Sequence, residues 1–266
     1  MDKQYFFLNG VPRAGNTLLA TILNQNPDMQ VSANSLVTGG LLHQAHSLTS
    51  SELFKNFPDN KSLDNVLENI IPNYYKDWNC KYIIDRSQVG IQDILLLLKK
   101  YLKNPLKIIV LERPLEDIIS SFMTAQKNWK SPLDNQLEWL LRPDGALMVG
   151  LMSIKNLSRP EYKNITHFIT YDDLVNNPKK IINGIYEFLE VPQYNHYFNN
   201  LKKFSVNGMF YNENWLLPTQ VEMDLHDVKT KDISFTKHDK LPEYALNKLQ
   251  NFFGHEEWNK TNGRGH

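Results

Sequence analysis

The stretch Tyr5-Phe6-Phe7-Leu8-Asn9-Gly10-Val11-Pro12-Arg13-Ala14-Gly15-Asn16-Thr17-Leu18-Leu19 holds the residue types and spacing best suited to chemistry. It predicts a short apolar strand, a tight loop bounded by Gly10 and Gly15, and a helix opening at Asn16-Thr17. Such a loop leaves backbone N–H groups free and aims a helix N-terminus at its contents. The favoured occupant is an anion, most often phosphate. The spacing Gly10-x4-Gly15-x-Thr17 is that of a Walker A loop, except that Asn16 stands at the lysine position and Arg13 brings a positive charge inside the loop. Without the lysine, the loop is poorly built for the crowded charge of β- and γ-phosphates. Its amides, Thr17 and Arg13 suit a smaller anion, a single phosphate with one attached group. The same residues would also serve an ordinary strand-turn-helix, with Gly10, Pro12 and Gly15 only making the turn.

A second constellation follows the apolar run 106–111. Arg113 closes that strand just before a helix containing Ser120 and Ser121, and an arginine fork, a hydroxyl and a helix dipole together make a phosphate clamp. A surface arginine and a buried helix serine would give the same pattern. Glu112 at the strand end also admits a rival reading, the magnesium-holding acid of a P-loop nucleotide kinase or NTPase. The missing lysine and Arg113 beside that acid argue against it. Asp85-Arg86 ends another buried strand, 81–85. His43 and His46 have the spacing of metal ligands on a helix, but no third ligand is placed nearby, so solvated surface histidines are the simpler reading. Phe210, Tyr211, Trp129 and Trp215 are candidates to line an acceptor cleft, although aromatic residues are more often core.

The elements that must position these residues follow from apolar periodicity and breakers. Helices are predicted over 17–25, 41–55, 63–78, 91–102, 114–127, 133–157 with a break at 143–145, 171–175, 178–189 and 244–253. Strands are predicted over 5–8, 81–85, 106–111 and 166–170, while 31–40 is ambiguous. Strands alternating with helices imply crossovers, hence an α/β chain: a P-loop NTPase-like three-layer fold with a central, mostly parallel sheet. Ligands in such sheets bind outside the strand carboxyl ends, where the first loop, Arg86, Arg113 and Tyr171 all fall. The 266 residues read as a single domain over 1–266, without repeats or a linker. Zero net charge argues against a nucleic-acid partner, and no apolar run approaches the roughly 20 residues of a membrane span. The lone Cys80 fits a reducing compartment, and Met1-Asp2-Lys3-Gln4 runs directly into the first strand, so the expectation is a soluble cytoplasmic protein.

Pro12-Arg13-Ala14-Gly15-Asn16-Thr17-Leu18 resembles the P-R-S-G-T-T-L loop of sulfotransferases, which cradles the 5′-phosphosulfate of 3′-phosphoadenosine 5′-phosphosulfate (PAPS). Leu23-Asn24-Gln25-Asn26-Pro27 is similar to the helix end and turn that follow it in tyrosylprotein and bacterial sulfotransferases. Ala14 and Asn16 each lose a hydroxyl against that pattern, although Asn16 keeps an amide donor. The stretch Ile109-Val110-Leu111-Glu112-Arg113-Pro114 with Ser120-Ser121-Phe122 resembles the motif holding the 3′-phosphate, matched by Arg113 and Ser121. Thr170-Tyr171-Asp172-Asp173-Leu174, leading to Pro178 and Phe188-Leu189, is similar to the Y-E-D-L…P…F-L segment whose tyrosine neighbours the adenosine. Ile84-Asp85-Arg86-Ser87 resembles a D-K-S-R-type bacterial segment whose basic residue touches the transferring sulfonate; here Arg86 replaces lysine. Trp139-Leu140-Leu141-Arg142-Pro143-Asp144 and, more loosely, Leu225-His226-Asp227-Val228-Lys229 are similar to further segments of that group, the second implying nucleotide contacts.

The resemblance implies sulfonate transfer from PAPS to an acceptor hydroxyl or amine without a metal. Arg86 and Arg13 would act on the transferring group, and Arg13, Ala14, Gly15, Asn16, Thr17, Leu18, Arg113, Ser121 and Tyr171 would hold PAPS. A non-catalytic nucleotide-binding module is the other alternative. Tyrosylprotein sulfotransferases place a glutamate base shortly after the first helix and turn, but Ser32-Ala33-Asn34-Ser35 contains no acid. No histidine matches the base of cytosolic sulfotransferases, which leaves His43, His46 and His226 as candidates. The acceptor and the oligomeric state are not legible.

Overall fold

The computed structural model describes residues 2–125, 133–211 and 240–254. Five strands, β1 (Gln4–Gly10), β2 (Met29–Val31), β3 (Tyr82–Arg86), β4 (Ile108–Glu112) and β5 (Thr166–Thr170), form one sheet in the order β2-β3-β1-β4-β5. Every pairing is parallel, with Phe6 opposite Ile84, Leu8 opposite Ile109 and Glu112 opposite Thr170. The sheet is therefore wholly parallel, one step beyond the mostly parallel expectation.

Side chains alternate across β1 and its neighbours, so each face receives its own apolar set. Phe6, Leu8, Ile84, Ile109 and Leu111 pack on one face against α1 (Asn16–Leu23), α7 (Leu115–Ala125), α8 (Leu133–Leu140), α11 (Pro178–Leu189) and α12 (Glu243–Phe253). Tyr5, Phe7, Ile83, Ile108 and Val110 pack on the other against α2 (Val37–Ser50), α4 (Asn60–Glu68), α5 (Ile70–Tyr74), α6 (Gln92–Tyr101) and the end of α9 (Ala146–Leu157). Two covered faces explain why β1 and β4 read as unbroken apolar runs. The result is the three-layer helix-sheet-helix arrangement.

Boundaries differ from expectation where local chemistry intervenes. β2 is three residues long at the sheet edge, too short to register as a pattern. The helix expected over 41–55 begins earlier, at Val37, and divides at Ser51, whose Oγ accepts from Phe54 N at 3.1 Å and caps α3 (Glu52–Asn56). The helix expected over 63–78 divides at Asn69, because Pro72 in α5 has no N–H to continue the ladder of α4. α10 (Tyr171–Asn176) begins at the end of β5, where Thr170 Oγ1 accepts from Asp173 N at 3.0 Å.

A buried polar knot ties the sheet to α9. Asn9 Oδ1 accepts from Ser153 Oγ at 2.7 Å, and Ser153 Oγ accepts from Gly90 N at 2.8 Å. Gln88 Nε2 donates to the Gly10 carbonyl at 3.0 Å, fixing the point where β1 leaves the sheet. Cys80 is buried, and burial pushes its thiol up to about 11. Among the described residues, no helix is long and apolar enough to cross a membrane.

Candidate active site

The loop between β1 and α1 takes its shape from left-handed backbone at two positions, Arg13 (φ 69°) and Gly15 (φ 102°). At Gly15 the reason for glycine is visible twice. The angle is costly for any side chain, and an added Cβ would stand 2.5 Å from Tyr171 Cδ2. Gly15 caps α1 and has no side chain of its own to hydrogen-bond to the helix start. The first N–H groups of α1 thus face the loop, and its alternating handedness makes an anion-binding concavity. Asn16 is buried, and its Nδ2 donates to the Val11 carbonyl at 2.8 Å, pinning the loop from inside. That bond takes one of the two N–H donors of the Asn16 side-chain amide.

The predicted residues gather at one sheet edge because the strands that carry them are parallel and adjacent. Arg13 Nε donates to Ser121 Oγ of α7 at 3.0 Å. Arg113 Nη1 donates to the Arg13 carbonyl at 3.1 Å, and its guanidinium lies 4.2 Å from the centre of the Tyr171 ring. That ring is the one closing on Gly15. Arg13, Gly15, Arg113, Ser121 and Tyr171 therefore form one interlocked group, drawn from four separate parts of the chain. The arrangement departs from a simple Arg113–Ser121 clamp, since Arg13 stands on the serine. Ala14 is fully buried and contributes backbone, and Leu18 is half-buried on α1.

Arg86, last residue of β3, reaches the same edge one strand away. Its Nη1 donates to the Tyr211 hydroxyl at 2.6 Å and lies 3.4 Å from Thr17 Oγ1. The loop after β2 holds its backbone: Ser32 Oγ accepts from Arg86 N at 2.7 Å, and Ser35 N donates to the Arg86 carbonyl at 3.2 Å.

Asp85, beside Arg86, is engaged separately from the arginines. Its side chain is wholly buried on the opposite face from Arg86, taking hydrogen bonds from the Tyr75 hydroxyl and Ser87 Oγ. Burial pushes its carboxyl up, against the pull of bonds from Ser35, Ser87 and Tyr75. The signal was present in the sequence as a lone acid closing an apolar strand. Tyr75 gave none, since a tyrosine in a helix-period run reads as core.

The rival acid, Glu112, is half-buried, and burial pushes its carboxyl up. His43 and His46 are exposed on α2, with His46 Nε2 3.5 Å from Asp93 Oδ2. Trp139 and Phe210 are exposed. Trp129, Trp215, His226 and the segment 225–229 lie outside the described residues.

The sequence profile described as "Sulfotransferase domain" matches residues 3–262. A search of curated proteins gave no match. Among solved structures, a sulfotransferase from Alicyclobacillus acidocaldarius is 12% identical with a TM-score of 0.54, over 100% of this chain and 98% of that one. The sulfotransferase domain of the Synechococcus PCC 7002 olefin synthase is 18% identical with a TM-score of 0.52, over 94% and 95%. A retinol dehydratase solved with retinol and PAP is 15% identical with a TM-score of 0.50, over 98% and 82%. These likenesses are of fold.

The Asp85 environment generates a stability prediction. A carboxyl raised above its ordinary value of 3.8 contributes stability that is complete below that value and is lost as pH rises through the raised one. Asp85→Asn cannot ionise, so it escapes that loss while giving up one hydroxyl contact. Urea unfolding at about pH 4 and about pH 7 should show the variant weaker than the parent at the lower pH and recovering ground at the higher. A difference that does not change with pH would contradict a raised Asp85.

Proposed function

The chain belongs to the sulfotransferase domain family, and on that premise we propose that it transfers a sulfonate from PAPS to an acceptor hydroxyl or amine at the edge built by the loop 11–15, Arg86, Arg113 and Tyr171. The observation that carries this reading is the interlock of Arg13, Gly15, Arg113, Ser121 and Tyr171 around the start of α1. It sets two guanidinium groups and a row of N–H groups where two separated phosphates of one nucleotide would need them. The PAP bound to the retinol dehydratase of similar fold is the nucleotide we assign to this cradle. A nucleotide kinase would ask Glu112 to hold magnesium, and family membership sets that reading aside.

The reaction carries a sulfonate to the acceptor and leaves adenosine 3′,5′-bisphosphate. Backbone N–H groups at the start of α1, with Arg13 and Thr17, hold the 5′ end of the donor. Arg113 and Ser121 take the 3′-phosphate, and Tyr171 lies beside the adenosine while supporting Arg113 by stacking. Arg86 supplies positive charge where negative charge grows on the departing oxygen. Fixed cations and amides take the place of a metal, because a sulfonate carries less charge than a terminal phosphoryl group. In this reading residues 1–266 act as a single domain, and the lone buried Cys80 fits a cytoplasmic setting.

Calorimetry tests the donor site. The bisphosphate should bind more tightly than ADP or ATP, with or without EDTA. Arg113→Ala should weaken the bisphosphate by about 1.5–3 kcal/mol and adenosine 5′-phosphosulfate, which lacks the 3′-phosphate, by much less. Metal-dependent ATP binding with weak bisphosphate binding would return the reading to a kinase.

Arg86 should act on the transition state. Arg86→Ala is expected to lower turnover roughly 10²–10³-fold with bisphosphate affinity nearly unchanged, and Arg86→Lys to recover part of it. Normal turnover in the alanine variant would remove Arg86 from this role.

A further inference from the structure

Gly150 lies in the interior of α9, where alanine would form the better helix. What faces it explains the glycine. A Cβ there would stand 2.6 Å from Val11 Cγ1, 3.2 Å from Val11 Cα and 3.3 Å from Gln88 Nε2. Val11 is the first residue beyond β1, and Gln88 is the side chain that holds the Gly10 carbonyl. The helix thus meets the root of the cradle loop with no room for a methyl group between them. One turn further on, Ser153 Oγ donates to Asn9 Oδ1 at 2.7 Å and accepts from Gly90 N at 2.8 Å. Asn156 Nδ2 donates to the Gly90 carbonyl at 2.6 Å, so α9 also holds the turn that follows Arg86.

Val11 is buried, and its carbonyl is an inner anchor of the loop. It accepts from Ala14 N at 3.2 Å and from Asn16 Nδ2 at 2.8 Å. A shift of Val11 is therefore passed to the start of α1, whose N–H groups face the loop. Resting on the assignment of that loop to the 5′ end of the donor, we infer that Gly150 is a positioning residue for sulfonate transfer. Its missing side chain lets α9 seat Val11, and Val11 sets where the cradle holds the 5′-phosphate.

The physical reason is close packing. A methyl group added at a contact already closed must displace the softer partner. α9 is a 12-residue helix seated by Leu147, Ser153 and Leu157, all buried, whereas Val11 opens a loop with left-handed backbone at Arg13 and Gly15. The loop is the part that gives way. Arg113 follows β4 and Ser121 lies on α7, so the groups assigned to the 3′-phosphate stand on other elements. Displacing Val11 acts first on the 5′ end. A misplacement of about 0.5 Å is enough to loosen a phosphate held by fixed N–H groups.

The test uses the full chain and needs no acceptor. Adenosine 3′,5′-bisphosphate is titrated by calorimetry, and adenosine 5′-monophosphate and 3′-monophosphate are measured by displacing it. Gly150→Ala puts the methyl group against Val11 and leaves a better helix former in α9. It should weaken the bisphosphate and the 5′-monophosphate about tenfold and the 3′-monophosphate less than about threefold. Adding Val11→Ala removes the Cγ1 that the methyl group meets first, so the double variant should bind the bisphosphate within about threefold of the parent. If Gly150→Ala does not fold, Ser153→Ala decides the matter, because it releases Asn9 and Gly90 from α9 without adding volume. It should show the same bias against the 5′ end at about threefold. Parent-like affinities in the variant that folds would overturn the inference, as would equal losses on the two monophosphates. So would a loss in Gly150→Ala that the double variant keeps. A parent that does not bind the bisphosphate would overturn the donor assignment itself, and the inference with it.

Discussion

β1 is paired on both sides and covered on both faces, and this constraint arranges the rest of the molecule. With β3 and β4 holding its backbone and an apolar layer above and below, the first place where its chain can present polar chemistry is beyond Gly10. Parallel pairing brings the ends of β3, β4 and β5 to the same edge. Arg86, Arg113 and Tyr171, far apart in sequence, therefore arrive together without any long-range design of loops. Asn9 and Gln88 fix the exit of β1, so the loop that follows starts from a rigid point.

At that edge the chain collects positive charge, and each guanidinium has at least one neutral partner among the described residues. Arg13 rests on a serine hydroxyl, Arg113 on a carbonyl and an aromatic face, and Arg86 on a threonine and a tyrosine. None of these hydrogen bonds or ring contacts is itself an ion pair. A carboxylate in the same positions would stabilise the free protein and oppose the ligand. Asp85, one residue from Arg86, is directed across the sheet, which keeps its charge away from the arginines.

Much of this was legible in the sequence because it rests on local rules. Gly10 and Gly15 mark a loop, apolar runs mark buried strands, and Pro114 and Pro178 mark helix starts. The order of Arg13, Arg86, Arg113 and Tyr171 along alternating elements was enough to place them on one rim. What the sequence withheld depended on pairwise contact. Arg13 reaches Ser121 across 108 positions and Tyr211 reaches Arg86 across 125, and no periodicity carries such distances. The bond from the Asn16 side chain to the Val11 carbonyl is another contact that no sequence pattern announces. β2 was hidden because three residues cannot show an alternation.

The contact of Tyr171 with Gly15 joins parts of the chain that are synthesised far apart in time. The loop and α1 leave the ribosome early, but the ring that closes on Gly15 belongs to the last strand–helix junction of the sheet. Arg113 is made 100 positions after the carbonyl it holds, and Tyr171 later still. Nascent chains emerge N-terminus first, so the loop and α1 are exposed before the residues that close on them exist. The ring that completes the cradle is thus the last of its parts to be synthesised.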